Sequence, residues 1–533
     1  MSDHRTQWRC SVTVTSAGPV AALTCISNQS AQTQFRIKGI CYSPCPIGAS
    51  NKEGANCGDW FWDTYQAGAA TITSWEQTWR SDLKKIKALG VNTIRVYSML
   101  SKQLPTEYNA DTVYTHQAFL DACFELELFV LVGFPLPPTL FDYGQSPQLG
   151  ASWWEDNLTQ TLTALGQHPA VMGFVIANEV DNNTVDTYSR DAEKKQYWWR
   201  QIESMAAKAK AAAPDKLVGI ANHDDPKIPR LCETEMAACP SVDFWGVNSY
   251  QPQSFSSVFG GSNNAKGYAT LVGKALKPVI LTEYGFPSTS RTTANTLVPV
   301  EIMSTQETQT RVAKVLDSML PQAYAEQLNL GVCYFEFCDE WWDQSEYNIV
   351  KNQSCPKAKG PNKPDGGAGA TGLVPPNNYT WFGGPIACGF PNYYWDNDGF
   401  GLYSVAVGHN RTPSQPWNFE KNEPALPLDE RAARTPVIKA VTEFNSMCLI
   451  SGFVSEITQL DNNLVQVAIS SNEYGRIPIS AKAGTLTNYL YAPSELDDKQ
   501  EQLLQQAKSS GVGVTVAFTS RQGSRHLSAV VVQ

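Results

Sequence analysis

Two glutamates, Glu179 and Glu283, each stand at the end of an apolar run, "GFVIANE" (173–179) and "PVILTEY" (278–284). Runs of this kind read as buried strands, and a carboxylate at the end of one calls for a partner or a task. Paired carboxylates are what glycoside hydrolysis needs. One protonates the leaving oxygen, and the other attacks the anomeric carbon or activates water. Other strand-like runs end on residues that suit the same site. "IRVY" carries Arg95 and Tyr97, "GVNSY" carries Asn248 and Tyr250, and Asn178 directly precedes Glu179. Arg95 is a cation able to hold one glutamate ionised as a nucleophile. The other glutamate must then be the acid, raised by burial or by the like charge beside it. Taken singly, a glutamate at a strand end is more often a solvated rim residue or an ion-pair partner, and a tyrosine there is more often packing. The set is what points to catalysis.

Such side chains converge only if their strands share a sheet whose C-terminal ends meet. From about residue 36 the chain alternates short apolar runs with longer amphipathic ones. The strand-like runs are "RIKGICYS", "VNTIRVYS", "LFVLVGF", "AVMGFVIANE", "KLVGIAN", "VDFWGVNSY", "PVILTEYG" and "GVCYFEFCDE". Helices are expected over 75–90, 116–127, 152–167, 189–213, 265–276 and 306–327. Eight such units in about 300 residues predict an α/β fold, a (β/α)8 TIM barrel with its site at the C-terminal ends of the strands. A doubly wound sheet is the alternative, but no Gly-rich phosphate fingerprint follows the first strand. A long insertion rich in Gly, Pro, Asn and Trp follows the eighth strand (about 343–430). "TPVIKAVTEFNSM" (435–447) then reads as the delayed eighth helix. The expected organisation is an N-terminal β extension packed on the barrel (1–35), the catalytic barrel (36–447), and a small C-terminal α+β or mostly β domain (448–533).

Composition narrows the function. The 533-residue chain has a formal net charge of −10, which argues against nucleic acid as a partner. No run is long and apolar enough for a membrane span, and the start, "MSDHRTQWRC", shows no signal peptide. Six histidines without an HExxH and 13 cysteines without a CxxC give no metal pattern, so neither metal nor another cofactor is expected. Thirteen cysteines leave at least one outside any internal pairing. Cys41, Cys45 and Cys57 lie close in sequence, as do Cys232 and Cys239, which makes them candidates for disulfides. Aromatics in loops suit stacking on sugar rings. Trp341 and Trp342 follow strand eight, Trp60 and Trp62 sit in the first loop, Tyr42 ends the first strand, and Trp153 and Trp154 form a further cluster.

Asn-Glu ending strand four with Glu ending strand seven resembles the retaining clan A glycoside hydrolases. "KGICYSP", "LGVNTIRVYS", "GFVIANEVDNN", "SVDFWGVNSYQ", "KPVILTEYG", "CYFEFCDE" and "GYATLVGKALKPV" are most similar to family 72, the fungal cell-wall β-1,3-glucanosyltransferases. That resemblance implies a retaining β-glycoside hydrolase or transglycosylase acting on β-glucan-like chains through a covalent glycosyl-enzyme. It implies Glu179 as acid/base, Glu283 as nucleophile, Asn178 on the sugar 2-hydroxyl and Tyr250 on the nucleophile. It also implies a carbohydrate substrate and a secreted or cell-surface site of action. The chain departs from the family in two places. "LVGFPLPP" stands where the family carries a polar Asp-Asn pair, and "GFGLYS" (399–404) comes some sixty residues later than its counterpart. The alternatives are a retaining hydrolase of another β-linked sugar (β-galactoside, β-mannoside or β-glucuronide) and a non-catalytic carbohydrate-binding barrel.

Overall fold

The computed structural model describes residues 6–15, 18–27, 32–44, 66–67, 70–71, 76–102, 115–181, 191–224, 239–259, 277–291, 302–340, 389–392, 399–406, 430–460, 464–471, 473–474, 477–478, 486–493, 498–510, 513–521 and 524–532. The chain opens with an antiparallel sheet of β1 (Thr6–Thr15), β2 (Gly18–Ser27) and β3 (Gln32–Phe35). Eight parallel strands follow and close on themselves. They are β4 (Ile37–Cys41), β5 (Thr93–Val96), β6 (Phe129–Gly133), β7 (Val171–Asn178), β8 (Leu217–His223), β9 (Phe244–Asn248), β10 (Val279–Tyr284) and β11 (Asn329–Tyr334). They pair in chain order and β11 closes onto β4, so the (β/α)8 barrel is as the periodicity predicts.

The described connecting helices longer than one turn are α1 (Glu76–Ala88), α2 (Gln117–Glu125), α3 (Ala151–Leu165), α4 (Ala192–Ala212), α5 (Gln306–Ala325) and the delayed α6 (Thr435–Asn445); a single turn, Ser256–Phe259, follows the sixth barrel strand. α4 starts on Asp191, whose carboxylate accepts from the Glu193 and Lys194 amides, an N-cap that satisfies otherwise orphaned donors. The helix expected over 265–276 lies outside the described residues.

Two apolar cores follow from the strands being buried on both faces. One lies between strands and helices. The other fills the barrel interior with Leu131, Met172, Val175, Phe244 and Ile280. The N-terminal sheet closes the barrel floor. Trp8 packs edge-on against Phe35 (5.1 Å) and Phe129 (4.7 Å). The Trp8 amide donates to the Asp215 carbonyl and that of Ala21 to the Gln327 carbonyl.

Three expectations change. Cys41 and Cys239 are buried free thiols, so neither is in a disulfide. Cys41 lies on the inward face of β4 with Sγ 3.4 Å from the Thr282 carbonyl; the other cysteines of those two candidate groups lie outside the described residues. Tyr42 follows it on the opposite side, as strand alternation requires. Its ring is fully buried against Phe119 and Phe337, and its hydroxyl bonds Asp82 at 3.1 Å, so it is a core residue and not part of the mouth. Trp153 and Trp154 lie in the first turn of α3, edge to face at 4.8 Å, with Trp154 buried; they form no loop platform.

Within the insertion, Gly399–Tyr403 returns alongside the end of β11. The Leu402 and Tyr403 amides donate to the Glu336 and Phe337 carbonyls. A fork from Arg434 to both oxygens of Asp339 (2.6 Å each) and on to the Gly401 carbonyl (2.6 Å) ties the return in place. Tyr403–Ala406 (β12) then pairs with Glu430–Ala433 (β13). The last segment forms a second closed barrel from β14 (Cys448–Leu460), β15 (Leu464–Ser471), β16 (Leu486–Pro493), β17 (Gly513–Arg521) and β18 (Ser524–Val532). α7 (Asp498–Ser510) lies between β16 and β17.

Candidate active site

Arg95 sits at the centre of the barrel mouth, fully buried on β5. One guanidinium nitrogen, Nη1, donates to Glu283 Oε1 (2.7 Å), the Thr282 carbonyl (2.8 Å) and Asn248 Oδ1 (3.3 Å). The other, Nη2, donates to Asn178 Oδ1 at 2.6 Å. Its Cζ lies 4.4 Å from the centroid of the Tyr97 ring, a cation–π contact. The residues ending β5, β7, β9 and β10 thus meet on one cation.

Asn248 links the two glutamates. Its Oδ1 accepts from Arg95 and from Thr282 Oγ1 (2.7 Å), and its Nδ2 donates to Asn178 Oδ1 (3.0 Å) and Glu179 Oε1 (2.9 Å). All four of its hydrogen-bonding positions are used, which fixes the amide orientation. Asn178 Oδ1 in turn has two donors, which leaves its exposed Nδ2 free to donate to a ligand.

Strict alternation along the strands would not bring these groups together. Between β7 and β8 the pairing steps from Val175↔Gly219 to Asn178↔Ala221, three residues against two. Between β9 and β10 it steps from Val247↔Leu281 to Asn248↔Glu283. Each bulge adds one residue and turns the next side chain inward. Glu179 follows with φ of 52°, a left-handed conformation that a non-glycine residue rarely adopts. The bulge and the left-handed turn let two consecutive residues, Asn178 and Glu179, both serve the site. At Gly285 an added Cβ would lie 1.8 Å from the Phe335 carbonyl oxygen. Glycine there lets the strand end approach closely, and Phe335 packs edge-on to Tyr250 (6.2 Å) and Tyr97 (6.4 Å).

The two carboxylates have different surroundings. Glu283 is buried and accepts from Arg95, from the Tyr97 hydroxyl (2.8 Å) and, on its other oxygen, from the Tyr250 hydroxyl. Burial raises its pKa and the Arg95 charge opposes that shift. Three donors, one of them a permanent cation, fit the ionised form. Glu179 is partly open to solvent. Its Oε2 lies 2.7 Å from His223 Nε2, and His223 Nδ1 lies 3.3 Å from Asp181 Oδ1. Burial pushes Glu179 up, but the bond and charge of His223 hold it below the usual carboxylate range. Held between two carboxylates, His223 is raised to about 10, although its burial acts the other way.

The structure therefore brings together Glu179, Glu283, Arg95, Tyr97, Asn178, Asn248 and Tyr250. Trp60, Trp62, Trp341 and Trp342 lie outside the described residues. Sequence reasoning missed His223, Asp181 and Phe400. His223 ends β8 in "GIANHDD", one residue beyond the apolar run "KLVGIAN". Phe400 sits in the returning "GFGLYS" with its ring 5.6 Å from that of Tyr250. Among the described residues no cluster of His, Cys, Asp and Glu suits a metal ion.

A sequence profile of glycoside hydrolase family 72, described as glucanosyltransferase, matches residues 19–307. The chain belongs to family 72. It is 26% identical over 333 residues to a 1,3-beta-glucanosyltransferase of Arthroderma benhamiae, covering 60% of this chain and 49% of that protein. The family 72 chain thus spans about half the length of that curated relative. Among solved structures it is similar to β-glucuronidase 2 of Bacteroides uniformis (12% identity, TM-score 0.39, 96% of this chain and 50% of that one). It is also similar to a family 5 mannosidase of Rhizomucor miehei (11% identity, TM-score 0.35, 77% and 95%). The matched family span holds all seven assembled residues and His223. No helix among the described residues is long and apolar enough to cross a membrane.

Proposed function

We propose that this chain is a retaining transglycosylase of β-1,3-glucan working by double displacement. The observation that carries this reading is the division of partners between the two glutamates: three donors on Glu283, and an imidazole on Glu179. In the first step Glu283 attacks the anomeric carbon while Glu179 gives a proton to the departing glycosidic oxygen. A covalent glycosyl-enzyme forms and a shortened chain leaves. In the second step Glu179 takes the proton of an incoming hydroxyl, which displaces Glu283. A sugar hydroxyl gives transfer and water gives hydrolysis. Asn178 Nδ2 is placed to bind the 2-hydroxyl, where bonds strengthen in the transition state.

His223 explains how a glutamate with a lowered pKa still acts as an acid. The Glu179–His223 pair holds one proton across the neutral range, and the pair titrates as a unit. In the resting site the proton is on His223. When substrate excludes water, moving that proton to Glu179 becomes relatively more favourable because it removes the Glu179–His223 charge pair, and the one remaining charge, on Asp181, keeps the imidazole Nδ1–H as its partner. Asp181 orients the imidazole. His223 is thus a positioning residue and proton partner for Glu179. A site of action at the cell wall or outside the cell accords with a polysaccharide substrate.

The test is product analysis with one purified β-1,3-linked gluco-oligosaccharide at rising concentration. Products longer than the substrate are expected. Only shorter products at every concentration would make the chain a hydrolase, and turnover confined to another β-linked sugar would overturn the substrate assignment.

A further inference from the structure

Among the described residues two large apolar side chains are exposed, Phe124 and Tyr143. Phe124 is near the C-terminal end of α2, on the floor side of the barrel. Tyr143 lies in the connection from β6 to α3, and connections of that kind line the catalytic face. This connection is stiff. It holds Pro135, Pro137, Pro138 and Pro147, each with φ fixed by its ring. A single 3-10 turn spans Pro138–Leu140, and Phe141 and Pro147 are buried anchors. Between the anchors, Tyr143, Gly144, Gln145 and Ser146 form an exposed tip, where Gly144 turns the chain with φ of 76°.

Two side chains of α4 hold the Tyr143 ring. Glu193 and Tyr197 are four positions apart on that helix, so they stand one above the other on one face. The Tyr143 hydroxyl donates to Glu193 Oε1 at 3.0 Å, and its ring meets that of Tyr197 edge to face at 5.5 Å and 86°. Each barrel helix runs back from the mouth to the start of the next strand, so the first two turns of α4, which carry both residues, border the catalytic face. The ring is thus fixed in direction while 44% of the residue stays open to solvent. An edge-to-face contact covers one face of one ring, so Tyr143 keeps a face free. Packing alone would bury the ring, as α4 buries its own Trp198 and Trp199.

Charge and chemistry select the ligand. The connection from Phe134 to Gly150 contains one charged residue, Asp142, and no Lys or Arg. The hydroxyl of the ring is itself held by a carboxylate, so an anionic ligand gains no counter-charge from this connection. Gln145 and Gln148, both exposed on the same connection, offer amides. A fixed ring face with amides close by in the chain suits a neutral polyhydroxyl chain, which presents C–H faces to rings and hydroxyls to amides. We propose that Tyr143 is the platform of a distal sugar subsite at the rim of the catalytic mouth, stacking on a glycosyl unit of the bound chain away from the bond being broken. Holding the ring in place before binding removes part of the ordering cost. The proposal rests on the carbohydrate reading of the mouth and not on the β-1,3 linkage. Tyr143 touches neither Glu179 nor Glu283, so its contribution must depend on chain length.

The experiment is kcat/KM of wild type, Tyr143→Ala and Tyr143→Phe on β-1,3-gluco-, β-1,4-gluco- and β-1,4-manno-oligosaccharides of rising length. Tyr143→Ala should lower kcat/KM about tenfold on long chains and leave it within about twofold on the shortest chain turned over. Tyr143→Phe keeps the ring and should stay within about threefold of wild type at every length. An Ala variant with no loss at any length, or with equal loss at all lengths, overturns the proposal, as does a Phe variant that loses as much as Ala. The side chain is exposed at a loop tip, so the Ala variant should unfold at the wild-type midpoint. Equilibrium binding of the same oligosaccharides in a Glu179→Gln background separates this inference from the proposed function. Should wild type turn over none of the three series, long-chain binding weakened about tenfold by Tyr143→Ala supports the platform, and binding that is absent or unchanged removes it. Turnover of a linkage other than β-1,3, with the same length dependence, overturns the substrate assignment and leaves the subsite standing.

Discussion

At the floor of the catalytic barrel, Trp8, Phe35 and Phe129 fill the opening edge to face. At the mouth, the same cross-section is filled by Arg95, Asn178, Asn248 and Glu283, joined by hydrogen bonds. Both ends are closed by side chains, with different sensitivities. An apolar plug loses stability in proportion to the volume removed. A buried charged network loses much more per atom, because removing one partner strands the others. The floor can hold only the fold, whereas the mouth places charge where bonds break.

That contrast can be broken in order of expected effect. Glu283→Gln should lower kcat by roughly 10⁴-fold or more by removing the nucleophile, and should also lower stability by about 3–5 kcal/mol, because it leaves the buried Arg95 cation without its carboxylate. Activity within tenfold of wild type would remove Glu283 from the mechanism. Trp8→Ala should spare the chemistry, costing about 3–5 kcal/mol of stability while kcat per folded molecule stays near wild type. Chemical denaturation paired with active-site titration reads both, and a kcat loss without a stability loss would mean the floor reaches the chemistry. Asn178→Ala should reduce kcat/KM by roughly 100-fold, and a 2-deoxy substrate should narrow the gap between variant and wild type.

The smallest effect sharpens the comparison at one atom pair. In wild type, the alkaline limb of kcat/KM should report loss of the proton shared by Glu179 and His223, with His223 raised to about 10. His223→Asn leaves Glu179 to carry the proton alone. The limb should then move to lower pH by more than one unit, with little change on its acid side. An unmoved limb would leave His223 a structural residue only.

The barrel was legible because parallel strands, buried on both faces, read as unbroken apolar runs between amphipathic helices. Polar residues near the end of each run mark the mouth, and Arg95, Asn178, Asn248 and Glu283 are among them. What stayed hidden was side-chain direction. Alternation alone gives no sign of the bulges before Asn178 and Glu283, or of the left-handed turn at Glu179. It does predict that Tyr42 faces away from its neighbour Cys41, but which of the two faces inward depends on packing across the barrel. His223 was missed because a histidine after "GIAN" looks like a loop residue until Asp181 and Glu179 stand on either side of it. The closure of the last segment into a second barrel depends on which strand pairs with which, and strand composition does not encode that.

The contacts made by the first strands bear on the chain's synthesis. The Trp8 amide finds its acceptor at Asp215 and the Ala21 amide at Gln327, about 200 and about 300 positions further along. This hairpin leaves the ribosome long before its partners are made and is therefore among the last parts of the barrel to settle. Its apolar side waits uncovered while most of the barrel is made, and contacts so distant in sequence make for slow folding and exposure to aggregation. A ribosome-bound chain stopped before Gln327 should be cut by protease within residues 6–35, and one extended past α6 should resist; equal resistance in both would mean the hairpin docks early on other partners.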